Sequence, residues 1–128
     1  MSVDMTQFYS VLFDECLECL SSMETELNSI DLNAFDAEQM NTIYRGAHTI
    51  KGGCAMLEFH AVADYAKAME SILGDMRDQR KPTTTENIAV MLESVAFVRA
   101  MIMTLQNNEA VDEVSAQAHC AKMQQAIG

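Results

Sequence analysis

The sequence predicts an all-α protein: an up-down-up-down four-helix bundle with an additional C-terminal helix. Three observations carry that prediction. Apolar residues recur at three- and four-residue steps through four long stretches, the period of a helix rather than a strand. The 128 residues hold one proline and five glycines, little material for the tight turns of a sheet. Eleven methionines against 6% aromatics also favour helix. With 49% hydrophobic residues, one domain over 1–128 with one core is expected, its bundle over about 4–107 and the extra helix over about 112–127.

The first helix is expected from Asp4, as its cap, to about Ser29, with Met5, Phe8, Tyr9, Leu12, Phe13, Cys16, Leu20, Met23, Leu27 and Ile30 as its stripe. The second starts at Asp36, an N-cap followed by Glu38 in the first turn. Its stripe is Met40, Ile43, Ala47, Ile50, Cys54 and Leu57. A corner without proline or glycine at Glu58 to Ala61 predicts an antiparallel neighbour from about His60 to Gln79, ended by Arg80-Lys81-Pro82. Val62, Tyr65, Ala66, Met69, Ile72, Leu73 and Met76 form its inner face, with Glu70 at the edge and Gly74 read as a close-packing position. Thr83 and Glu86 offer a capping box for the fourth helix, which Ile88, Met91, Leu92, Val95, Val98, Ile102 and Leu105 carry to Asn107. The fifth, Asp112 to Ile127, has a weak stripe of Val111, Val114, Ala118 and Ala121.

Charge narrows the function. Nineteen acidic against eight basic residues give a net charge of −11, which argues against nucleic acid and anionic membrane surfaces as partners. No apolar run is expected to reach the roughly 18 residues of a membrane span, and the N-terminus shows no signal peptide, so a cytoplasmic location with reduced cysteines is expected. Cys16 and Cys19 form a CxxC on an amphipathic helix without a second pair, which reads as small apolar packing rather than a zinc or redox site.

The chemistry concentrates in Ala47-His48-Thr49-Ile50-Lys51-Gly52-Gly53. Each interior helix glycine costs on the order of 1 kcal/mol, so Gly52, Gly53 and nearby Gly46 imply a use for bare backbone: something bulky comes close to His48. At 100° per residue His48 lies roughly 130° from the middle of the buried stripe, at or beyond the solvent edge. Arg45 and Gly52 are its outer neighbours, Tyr44 and Lys51 flank it on the core side. With the corner near Glu58, His48 and Glu70 fall at similar heights on adjacent helices. A carboxylate accepting from Nδ1 fixes the tautomer that leaves Nε2 nucleophilic. Lys51, one turn along, can pair with phosphoryl oxygens. Together these residues describe a histidine that carries a phosphoryl group between other proteins. His60 and His119 read as structural or surface residues.

The heptapeptide resembles the H-x-x-K-G-G motif of histidine-containing phosphotransfer (HPt) domains. Phe8-Tyr9, Phe13-Asp14-Glu15, Asp36-Ala37-Glu38-Gln39 and Met69-Glu70 extend the resemblance to the N-terminal domain of CheA-type chemotaxis sensor kinases. The resemblance implies that His48 receives the ATP γ-phosphoryl group from a separate kinase catalytic domain acting in trans. It then passes that group to an aspartate of a CheY- or CheB-like response regulator. It implies Lys51 at the phosphoryl group, Glu70 on Nδ1, and Gly52, Gly53, Arg45 and Thr49 on the surface a partner approaches. Some relatives of this kind carry a second histidine in the network where this chain has Lys67, which makes Lys67 a candidate member. The chain has no nucleotide-binding motif of its own, so ATP and magnesium are expected in the separate domain and no cofactor here; CheA-type kinases are much longer, so the resemblance implies their N-terminal fragment, and whether the chain counts as an enzyme is left open. The isolated domain is expected to be a monomer. A stand-alone relay protein, a helical adaptor without chemistry, and a metal bundle built on Cys16, Cys19 and His119 are the competing readings.

Overall fold

A computed structural model describes residues 5–127 and contains five helices: α1 (Thr6–Asn28), α2 (Ala37–Met56), α3 (His60–Arg77), α4 (Thr85–Gln106) and α5 (Glu113–Ala126). α1 packs on α2 and α4, α2 on α3, and α3 on α4, closing a four-helix bundle, while α5 docks on α3 and α4. The stripe expected for α2 is buried from Met40 to Cys54, with Leu57 half-buried, and every residue named for the inner face of α3 is buried. That burial fixes the rotational phase of the two helices that hold His48 and Glu70.

Asp36 caps α2 as expected, its carboxylate accepting from the backbone N–H of Glu38 and Gln39 at 3.0 and 3.2 Å. The Asp4 cap lies outside the described residues. At α4 the expected box of Thr83 and Glu86 is displaced by one residue: Thr84 is the N-cap and accepts from Asn87 N at 3.0 Å, and the buried Asn87 side chain donates to the Pro82 carbonyl. Phe8, counted in the α1 stripe, is 54% exposed.

Three helix ends use the same device. After α2, α3 and α4 the chain turns through Glu58, Gln79 and Asn108, at φ 65°, 59° and 59°. Each donates to the carbonyl three residues back, and the next residue donates to the carbonyl five back, closing Schellman turns. Neither Glu nor Gln is the usual resident of left-handed backbone.

Two further expectations fail. α4 is long and apolar enough to cross a membrane by length and composition, with mean hydropathy 1.9 over its best window. Small and apolar residues such as Ala89, Val90, Ala96 and Met103 dilute the charges on its outer side, while Met91, Val95, Val98 and Ile102 are fully buried in the bundle. α5 turns a different face inward: Ala116, Met123 and Ile127 are buried, Ala118 and Ala121 are exposed, and Val114 is 76% exposed. The deciding residue is His119. Its ring stacks on Phe97 with centroids 3.9 Å apart, and Nδ1 lies 2.8 Å from the Tyr65 hydroxyl.

Candidate functional site

The α2–α3 corner brings His48 and Glu70 to the same height, as the hairpin geometry required. Ala47 and Ile50, buried on either side, hold the His48 side chain outward, and it is 60% exposed. Glu70 follows the buried Met69 on α3, and its side chain is only 11% exposed. Three groups converge on that carboxylate. His48 Nδ1 lies 2.8 Å from Oε1, the Tyr44 hydroxyl donates to the same Oε1 at 3.0 Å, and Lys51 Nζ sits 2.7 Å from Oε2.

Burial pushes the Glu70 carboxyl up. Hydrogen bonds from Lys51, His48 and Tyr44, with the Lys51 charge, outweigh it and hold the group below the usual glutamate value. An ionised carboxylate only accepts, so the proton of a neutral His48 ring sits on Nδ1 and donates to Oε1. The lone pair is then on Nε2, on the far side of an exposed ring. The carboxylate also favours positive charge on the ring, which develops when Nε2 attacks an electrophile.

Tyr44 is the residue that sequence reasoning placed beside the histidine without giving it work. Its ring runs nearly parallel to the His48 ring, 18° apart with centroids at 6.3 Å. The Arg77 guanidinium lies 4.4 Å from the Tyr44 centroid and donates to Asn41 Oδ1 at 3.0 Å. The only forewarning in the sequence was the i−4 spacing of Tyr44 from His48.

The glycines divide. A Cβ on Gly52 would meet nothing within 4 Å, so this position is open surface one turn from His48. A Cβ on Gly53 would come 2.5 Å from Leu12 Cδ1, and one on Gly46 would come 2.6 Å from Met23 Cγ. Those two glycines let α1 approach α2, so the bulk they accommodate is this chain's own first helix. Gly53 is a packing position as well as a half-exposed neighbour of the site. Arg45 and Thr49 are exposed and border a shallow hollow towards Cys19 and Ser22 of α1. Lys67 is exposed and lines the depression beside Glu70 and Lys51, but among the described residues Glu70 pairs with His48, Lys51 and Tyr44, not with Lys67.

The residues considered for a metal reading lie apart in function. Cys16 is buried against Cys54 of α2, Cys19 is half-buried, and His119 is engaged with Tyr65 and Phe97. Among the described residues no group of three or more His, Cys, Asp or Glu side chains is placed to hold a metal ion.

The model of the Hpt domain family matches residues 7–116, which take in α1 from its second residue, all of α2, α3 and α4, and the first four residues of α5. The chain belongs to the Hpt domain family. Among curated proteins, this Hpt domain is 33% identical over 125 residues to the chemotaxis protein CheA of Salmonella typhimurium and 32% identical to that of Klebsiella aerogenes. Each match covers 98% of this chain and 19% of the relative, so the chain spans about a fifth of those proteins. Among solved structures, the phosphorylated P1 domain of CheA3 from R. sphaeroides, crystallised in complex with CheY6, superposes with a TM-score of 0.82 at 23% identity. That superposition covers 94% of this chain and 95% of the other and shows a shared fold.

Proposed function

We propose that this Hpt domain is the phosphoacceptor module of a chemotaxis-type histidine kinase, with His48 as the acceptor. The observation that carries the reading is the exposed His48 ring with Nδ1 held on an ionised Glu70. Nε2 attacks the γ-phosphorus of ATP held by a separate catalytic domain. The N–P bond forms, the bond to the bridging β,γ-oxygen breaks, and ADP leaves. No proton has to move, because Nδ1 already carries it and Glu70 faces the positive ring. In the second step a carboxylate oxygen of a response-regulator aspartate attacks the same phosphorus and the N–P bond breaks. Lys51, parked on Glu70 Oε2 before phosphorylation, is one helical turn from His48 and supplies positive charge to the phosphoryl oxygens.

ATP and magnesium act in the catalytic domain, and this domain binds no cofactor. The CheA relatives support a chemotaxis pathway and a cytoplasmic setting, and the CheA3 P1 complex with CheY6 supports a response regulator as the receiving partner. Phe8, Val11 and Met56 are 54%, 66% and 80% exposed on the segments of α1 and α2 that flank the Leu12–Gly53 contact. Exposed apolar side chains of that kind suit a protein partner beside the histidine.

The test is phosphotransfer from labelled ATP by a CheA-type catalytic core. Wild type is expected to take up acid-labile, base-stable label and release it to a response regulator, and His48→Gln is expected to take up none. Equal labelling of His48→Gln would move the acceptor elsewhere.

A further inference from the structure

The carboxylate of Glu70 has two oxygens and three protein donors. Lys51 occupies Oε2, and His48 shares Oε1 with Tyr44. The Tyr44 hydroxyl is therefore a direct competitor and neighbour of the bond that sets the His48 tautomer. A phenol contributes one O–H on a rigid ring, so the direction from which it meets Oε1 is set by the placement of that ring.

Three contacts set the ring. Arg77 covers one face at 4.4 Å. The same guanidinium is fixed by Asn41 Oδ1 at 3.0 Å and by both carboxylate oxygens of Asp78, at 3.0 and 3.3 Å. Gly74 lies behind the ring edge: a Cβ there would come 3.3 Å from Tyr44 Cε2, tighter than ordinary contact. The His48 ring runs alongside. A tyrosine needed only to fill a half-exposed groove would not require a guanidinium held by two partners and a helix-interior glycine in a buried position. Among the described residues Lys67 is exposed and is not a partner of Glu70.

The geometry points to Tyr44 as a positioning residue for phosphotransfer. Its hydroxyl pins Oε1 of Glu70 so that the remaining lone pair faces His48 Nδ1. The oxygen is held from α2 by Tyr44 while Lys51 holds the other, so the carboxylate cannot rotate away from the imidazole. This inference rests on the phosphoacceptor reading of His48 for its rate effect but not for its tautomer effect.

The experiment is Tyr44→Phe, which keeps the ring, its packing on Gly74 and its contact with Arg77 and removes only the O–H. At a pH where the His48 ring is neutral, 15N-resolved NMR reads the two ring nitrogens. Wild type is expected to hold the proton on Nδ1, and Tyr44→Phe to show a mixture, its two nitrogen resonances drawn together. The rate of phosphorylation by the kinase core is expected to fall on the order of tenfold, with the melting temperature little changed. In a Glu70→Ala background the same substitution is expected to change neither quantity, because Tyr44 acts through Glu70. Unchanged tautomer populations in Tyr44→Phe would overturn the inference, as would a rate loss that persists without Glu70. A wild-type domain that holds the tautomer but takes up no label would instead overturn the acceptor reading and leave the role of Tyr44 standing.

Discussion

Glu70→Gln is the sharpest perturbation of the site because it removes a charge and almost nothing else. The amide carbonyl can still accept from His48 and Tyr44 at the position of Oε1, but its NH2 faces the Lys51 ammonium, donor against donor. Bonds to a charged acceptor are roughly twice as strong as neutral ones, so each retained bond loses about 0.5–1 kcal/mol. The Lys51 pair is about one-third exposed at the lysine, so its loss adds at most about 1 kcal/mol. Water reaching the exposed His48 ring offsets part of this, leaving a destabilisation of about 1–2 kcal/mol at pH 7, or roughly 3–8 °C in Tm for a domain of this size. The phosphorylation rate is expected to drop about tenfold, since a neutral acceptor on Nδ1 no longer favours the positive ring. The pH dependence has a definite sign. The Glu70 carboxyl titrates below its ordinary value, so its contribution is present above the unfolded value near ~4.3 and is lost as pH falls through the folded one. Urea unfolding of wild type and Glu70→Gln should give curves that are separate at pH 7 and draw together as pH falls below the ordinary glutamate range. A gap in stability that does not narrow as pH falls below the ordinary glutamate range, or a phosphorylation rate within twofold of wild type, would refute the assignment of Glu70's charge to this site.

Two further comparisons test the packing. Gly52→Ala meets open space, so it should raise stability by about 0.5–1 kcal/mol through helix propensity alone, yet slow transfer by placing a methyl group where a partner approaches His48. Gly53→Ala drives a Cβ to 2.5 Å from the nearly buried Leu12 and should cost about 1–3 kcal/mol; thermal melts of the pair that moved in the same direction would reject the division of labour between them. Gln79→Gly, at φ 59°, should stabilise by about 1 kcal/mol by removing the left-handed penalty at the end of α3, and an unchanged or lowered urea midpoint would count against that turn geometry.

The parts of this structure that were legible in the sequence are those in which local spacing and long-range packing ask for the same thing. In α2 the apolar steps fix which way Ala47 and Ile50 point, so the exposure of His48 follows from its position between them. The short α2–α3 corner then fixes the height of Glu70, and the 2.8 Å contact follows from two periodic helices joined without slack. What escaped is set by contacts that no spacing encodes. Gly52 and Gly53 are adjacent in sequence, yet one faces open space and the other Leu12, because the position of α1 decides between them. The turns at Glu58 and Gln79 carry no glycine to announce them, since the Schellman hydrogen bonds offset an unfavourable φ. The sequence left His119 between a structural and a surface role, and it is the half-buried ring, stacked on Phe97 with Nδ1 2.8 Å from the Tyr65 hydroxyl, that makes it structural.

The same distinction explains why His48, Lys51 and Glu70 could be named together from the sequence while the contribution of Tyr44, Gly74 and Arg77 could not. A histidine with lysine three residues on and glycines beyond is a local pattern. The direction of a carboxylate is a tertiary property, shared here among Lys51 and Tyr44 of α2 and, through the Tyr44 ring, Gly74 and Arg77 of α3. Holding Nε2 outward requires both rigid helices, because the ring is open on its exposed side and is held by the Nδ1 bond to Glu70 and by the Tyr44 ring alongside. It follows that substitutions far from His48 in sequence but in line with that tether, such as at Arg77, should change the rate of transfer while leaving the histidine, its exposure and the fold in place.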